Sequence, residues 1–181
     1  MALIDFGTGT TGDGDTLYNA FTKINLIVGN GNGNVSSCTA TGISAMSAVN
    51  TGASNTANGN YSLSSNTSGH TNTAIGGSVL QNNTTGYYNT AIGNSSQATS
   101  TTTSGNTSLG TFSLFNANTG NQNTAIGYGA LQNNSSGQSN TAIGYGALSA
   151  NTTFQNVIGV GANSVVTGSQ LLSNHFLWSS A

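Results

Sequence analysis

A five-residue phrase returns seven times along this chain with a period of 17. Its fullest form, Asn-Thr-Ala-Ile-Gly, begins at Asn72, Asn89, Asn123 and Asn140, with weaker copies at Cys38, Asn55 and Asn106. The fifth residue of every copy is glycine: Gly42, Gly59, Gly76, Gly93, Gly110, Gly127 and Gly144. The third is alanine in all copies but one, which has Ser108. Further along each unit, in the same phase, stand Met46, Leu63, Leu80, Leu114, Leu131 and Leu148, with Gln97 the exception. A second glycine recurs at Gly52, Gly69, Gly86, Gly120 and Gly137. A fixed period of this length is the mark of a stacked architecture, in which each repeat buries its apolar residues against the next.

The copy starting at Asn123 shows what one unit contains. Asn123-Thr-Ala-Ile126 reads as a short strand, with side chains alternating between two faces. Gly127 marks a bend, Tyr128-Gly-Ala130-Leu131 reads as a second short strand, and Gln132 to Gly137 supplies turn residues. Two strands and two turns predict an all-β fold, a parallel β-solenoid or β-roll in which one repeat makes one coil. Coils stacked about 4.8 Å apart place identical residues in files, and about eight of them give a rod of roughly 40 Å. Near the end the phase shortens: Gln155-Asn156-Val157-Ile158-Gly159 echoes the phrase, but Gly159 follows Gly144 too soon for the period.

Three segments follow. Residues 1–34 form an N-terminal attachment segment. Within it Leu17, Phe21, Ile24 and Val28 fall on one helical face, Asp15 is placed as an N-cap, and Gly29 ends a short helix. That apolar stripe, with Lys23 beside it, wants a partner. Gly29 to Asn34 is a Gly/Asn hinge; no Lys-Ser/Thr follows to make it a phosphate loop. Residues 35–165 are the repeat shaft. Residues 166–181, including Leu171, Phe176 and Trp178, leave the pattern and form a cap or tail.

The charge map removes several functions. Charged residues are 2% of the chain, against about 25% in an ordinary domain. Asp5, Asp13, Asp15 and Lys23 are the only charged side chains, all ahead of the repeats. One lysine cannot supply the phosphate contacts that dominate nucleic-acid affinity, so no nucleic-acid partner is expected. No apolar run is long enough for a transmembrane helix, and no membrane insertion is expected. The opening Met1-Ala-Leu-Ile-Asp5 lacks the basic and apolar regions of a secretory signal. Low polar complexity suits disorder, but the in-phase return of Ile, Leu and Ala argues for a specific burial pattern.

Alternation within the strand puts Ala74 and Ile75 on opposite faces, as it does Ala91 and Ile92, Ala125 and Ile126, and Ala142 and Ile143, with Leu109 in the same file. If Ala points into the coil, Ile points out. An outward aliphatic file is an interface, and a cyclic homo-oligomer covers it most simply. We expect a homotrimeric rod. Together with Leu131 and Leu148 these residues are the expected inter-chain or coil-core ladders, with the inward file, Ala or Ile, left open by the spacing.

The units Asn123-Thr-Ala-Ile-Gly-Tyr-Gly-Ala-Leu131 and Asn140-Thr-Ala-Ile-Gly-Tyr-Gly-Ala-Leu148 resemble two related families. One is the head of trimeric autotransporter adhesins, built from left-handed parallel β-rolls; the other is the shaft of bacteriophage tail fibres. Asn156-Val-Ile-Gly-Val-Gly-Ala-Asn-Ser164 is similar to a shorter adhesin repeat. Gly12-Asp-Gly-Asp15 and Ala20-Phe-Thr-Lys-Ile-Asn25 are similar to the virion-proximal start of phage fibre and tail proteins, departing from them after Asn25. An autotransporter needs a signal peptide and a C-terminal membrane anchor, and this chain is expected to have neither. The resemblance therefore implies a structural virion protein: a trimeric tail fibre mediating host-cell attachment. It would join other virion tail proteins through Leu17, Phe21, Lys23, Ile24 and Val28. A host cell-surface receptor is the expected partner at an unassigned contact site. The location implied is the virion tail, extracellular after release. The alternatives are a bacterial surface adhesin fragment and an ice-binding β-solenoid, the latter suggested by the Thr file from Thr39 to Thr141.

No enzymatic role and no cofactor or metal is expected. Glycan-cleaving fibres use paired carboxylates, and the shaft has no side-chain carboxylate. Asp13-Gly-Asp15 lacks the further acidic ligands of a calcium loop. His70 and His175 stand without a Cys/His cluster, and Cys38 fills the Asn position of the first unit. Tyr87, Tyr88, Tyr128 and Tyr145 are candidates for stacking on sugars, or for covering coil corners and packing between chains.

Overall fold

The structure, a computed structural model, describes residues 38–48, 51–117, 119–164 and 175–178. The expected helix with Leu17, Phe21, Lys23, Ile24 and Val28, the hinge at 29–34 and most of the tail lie outside the described residues.

Among the described residues nine short strands follow one another: β1 (Thr39–Thr41), β2 (Thr56–Asn58), β3 (Thr73–Ile75), β4 (Thr90–Ile92), β5 (Thr107–Leu109), β6 (Thr124–Ile126), β7 (Thr141–Ile143), β8 (Val157–Val160) and β9 (His175–Trp178). Each pairs in parallel with the next in chain order, giving one nine-stranded sheet. From β1 to β8 every register step is one full repeat, as in Ala74↔Ala91 and Ile126↔Ile143. The described residues thus form an all-β parallel solenoid with one coil per repeat.

Two expectations need correction. The phase does not shorten after Gly144. Ile143 pairs with Val160 and Thr141 with Ile158, so the step remains one full repeat. The echo of Asn-x-x-Gly at Asn156 is out of register, and Val157 occupies the Asn position. There its amide donates to Asn140 Oδ1 at 3.0 Å. Gly159 occupies the Ala position because the side chain of Leu148 fills that space; a Cβ on Gly159 would lie 2.6 Å from Leu148 Cγ. The four residues of β9 also join the sheet, Val157 pairing with His175 and Val160 with Trp178.

The second correction concerns Tyr128 to Leu131. This stretch is a turn, and each coil has one strand of regular pairing. The reason is backbone handedness. In this coil Gly127 has φ +130°, Gly129 +62° and Leu131 +49°. The equivalent Leu63, Leu80, Leu114 and Leu148 have φ +47° to +50°, and Met46 and Gln97 share the conformation. Left-handed backbone costs an L-residue about 1–2 kcal/mol. Each of these leucines offsets it by complete burial, worth about 1.5–3 kcal/mol. Coil-to-coil bonds continue through the turn: the Leu80 amide donates to the Ser96 carbonyl at 3.1 Å, and Leu131 to Ala147 at 2.9 Å. The bend before it has room only for glycine: Gly93 sits at φ +121°, and a Cβ there would lie 2.6 Å from the carbonyl carbon of Gly110.

The interior is narrow. Ala40, Ala57, Ala74, Ala91, Ala125 and Ala142 point inward and are buried, which settles the orientation of the strand. The leucine file packs against them. Beside these apolar files runs a ladder of buried asparagines. Asn72 Nδ2 donates to the Gly86 carbonyl at 2.8 Å, and Asn72 Oδ1 accepts from the Asn89 amide at 3.0 Å. The same pattern passes through Asn106, Asn123 and Asn140. Cys38 stands in for Asn at the start: its thiol donates to the Gly52 carbonyl at 3.3 Å and accepts from the Asn55 amide at 3.4 Å.

Candidate functional site

Strand geometry sends the second and fourth residues of each phrase outward. The second forms a file of threonines, from Thr39 up to Thr141, which Ile158 continues. The fourth begins with Thr41 and Asn58 and then becomes Ile75, Ile92, Leu109, Ile126, Ile143 and Val160 in unbroken register. Ile75, Leu109 and Ile143 are exposed at 38%, 46% and 39%, with Ile92 and Ile126 half-buried between them. The ladder residues expected from the sequence therefore divide by role. Ala74, Ala91, Ala125, Ala142, Leu131 and Leu148 build the coil core; Ile75, Ile92, Leu109, Ile126 and Ile143 coat its outer face.

Aromatic rings flank this face at both corners. On one side Tyr128 and Tyr145 follow the aliphatic file directly across Gly127 and Gly144. Their rings stack at 5.4 Å with planes 9° apart. Phe112 abuts Tyr128 edge-on at 5.9 Å and Phe115 at 5.5 Å. On the other side His70 stacks on Tyr87 at 5.1 Å, and Tyr88 stands edge-on to both. Offset stacking of this kind is the preferred geometry of ring pairs. Stacking covers one ring face in each pair, while Tyr87, Tyr88, Tyr128 and Tyr145 stay 44%, 60%, 48% and 60% exposed, so the tyrosines cap coil corners and still present ring surface outward. Sequence spacing brings Tyr128 to Tyr145 and His70 to Tyr87, each pair one period apart. The contact of Phe112 with Tyr128 was not foreseen, because Phe112 falls off the period and lies further round the corner.

Another file at the far turn also escaped the sequence reading. The hydroxyls of Thr67 and Thr84 donate to the carbonyls of Thr84 and Thr101, both at 3.0 Å, and Ser135 donates to Thr152 likewise. The recurrence of Thr or Ser after Asn66, Asn83 and Asn134 carried that signal.

The outer surface between residues 38 and 164 offers hydroxyls, amides, aliphatic groups and rings, with no charged side chain. Among the described residues no group of three or more His, Cys, Asp or Glu converges on a metal position. No helix among them is long and apolar enough to cross a membrane. The fold and surface define a repetitive parallel β-solenoid with an aliphatic outer file. Comparison with protein-family models, with curated proteins and with solved structures finds no match to this chain.

Proposed function

We propose that this chain is the shaft of a bacteriophage tail fibre, a structural virion protein that assembles as a homotrimer and mediates host-cell attachment. The observation that carries the reading is the unbroken outward file from Ile75 to Val160 on a shaft without charge. A file of this length on a thin coil is apolar surface that a second and third copy cover by lying parallel around a common axis. The resemblance of the repeats and of Gly12 to Asn25 to phage fibres favours the virion over the bacterial surface. The N-terminal segment attaches the fibre to other tail proteins, and the shaft projects toward a host receptor. The Thr file is single, flanked by aliphatic residues in most coils; only the first coil has Thr39-Ala-Thr41, which weighs against ice binding.

Sedimentation of the full chain at micromolar concentration is expected to show a trimer, and a monomer would defeat the assembly. Deletion of residues 1–28 is expected to abolish incorporation into particles while leaving the trimer intact; retained incorporation would remove the attachment role.

A further inference from the structure

The coil interior is not uniform along the rod. One apolar cluster runs from Ala40 to Ala91 and a separate one from Leu114 to Val157. Between them most inward positions turn polar, with Ala98 the buried apolar exception. Gln97 stands where the neighbouring coils have Leu80 and Leu114, and Ser108 stands where they have Ala91 and Ala125. Ser100 replaces the buried asparagine seen at Asn83 and Asn134, and Thr103 replaces the glycine seen at Gly86 and Gly120. All four substitutes are at most 1% exposed.

The polar layer is knitted together but incompletely. Gln97 Nε2 donates to Ser108 Oγ at 2.7 Å. Ser96 Oγ lies 2.6 Å from Ser108 Oγ and 3.0 Å from Ser113 Oγ. Yet Gln97 Oε1, Thr103 Oγ1 and Asn83 Oδ1 have no hydrogen-bond partner, three of the four such buried atoms among the described residues. Asn83 shows the cause. Its Nδ2 donates to Asn66 Oδ1 at 2.8 Å, continuing a second asparagine ladder. The next coil supplies Ser100, whose hydroxyl instead donates to the Ala117 carbonyl at 2.8 Å, so Asn83 Oδ1 is left over.

We propose that the coil from Asn89 to Gly105, together with Ser108, is a built-in joint that divides the shaft into two separately cooperative halves. In a solenoid each coil is held only by its neighbours, so cooperativity passes along the rod through each coil-to-coil interface. Elsewhere that interface holds the apolar leucine and alanine files beside a paired asparagine ladder. Here it is a polar layer with unpaired acceptors, and unpaired buried polar groups each cost stability. Opening then begins at this layer, and the coils on either side retain their own cores. Because the layer is interior, the joint is independent of how the outer faces assemble.

Hydrogen exchange read by mass spectrometry on the full chain tests this. Peptides covering residues 93–108 are expected to exchange at least about tenfold faster than those covering 73–83 and 124–134. The double variant Gln97→Leu/Ser108→Ala, which leaves Ser96 bonded to Ser113 and Asn83 Oδ1 and Thr103 Oγ1 unpaired, is expected to slow that segment toward the level of its neighbours. The reverse variant Leu131→Gln/Ala142→Ser is expected to create a second fast segment around 127–142. A flat profile in the wild-type chain, or a fast segment unmoved by the consensus substitutions, would overturn the joint.

Discussion

Asparagine makes a coil this narrow self-consistent. A turn this tight leaves backbone carbonyls and amides facing the interior, where no water reaches them and each demands a partner. Asn supplies an acceptor and a donor from one side chain, so a single residue joins its own coil to the next. Asn123 does this with the Gly137 carbonyl at 2.9 Å and the Asn140 amide at 3.0 Å. Asn123→Ala removes both bonds and is expected to destabilise the chain by about 2 kcal/mol, because the Asn140 amide is left buried and unpaired while the Gly137 carbonyl keeps Asn134 Nδ2 at 2.8 Å. The exposed Gln138→Ala is expected to stay within about 0.5 kcal/mol. Urea midpoints of the two variants check the contrast. The importance of Asn was legible in its repetition. Its bonding was not, because Gly137 and Asn140 are distant along the chain and meet Asn123 only across the closed coil.

At the scale of one coil, the same repeat puts aliphatic side chains to two different uses. Alternation in the strand correctly separates Ala from Ile, since a three-residue strand can send its middle side chain to only one face. The leucine file was expected on a second strand. It lies instead on left-handed backbone, where pattern and propensity argue against a bulky residue. Only the closed coil shows why it is tolerated: Leu131 at φ +49° is the side chain that fills the interior. Leu131→Ala is therefore expected to cost about 2–5 kcal/mol through the cavity it leaves. Ile126→Ala, half-buried on the outer face, is expected to cost less than about 1 kcal/mol in the isolated coil. Its larger effect should be on self-association. Denaturation midpoints paired with sedimentation separate the two effects; equal destabilisation with unchanged association would contradict the division of roles.

The shaft is held together by files that form a narrow core along its length, and it works without ion pairs. Between Ile24 and the C-terminal Ala181 there is no Asp, Glu, Lys or Arg side chain. No paired carboxylate or amine exists there to lose its partner on titration, so folded and unfolded shafts bind nearly the same number of protons. The denaturation midpoint is expected to stay constant between roughly pH 4 and 9 and from low to about 1 M salt, apart from the strengthening of burial by excluded salts. A steep acid transition, followed by circular dichroism, would show that the charged N-terminal residues contribute to the fold. The sequence by itself determined the period, the parallel stacking, the charge-free shaft and the separate exceptions Gln97 and Ser108, because a strict repeat writes every stacked contact into the chain. Only the tertiary structure decided three things: that Val157, not Asn156, carries the register onward, that leucine fills the coil from a left-handed turn, and that the polar exceptions meet in one layer. The physical reason is common to all three: register and backbone handedness are fixed by the space and hydrogen bonds that the adjacent coil leaves free, and those exist only once the coil is closed.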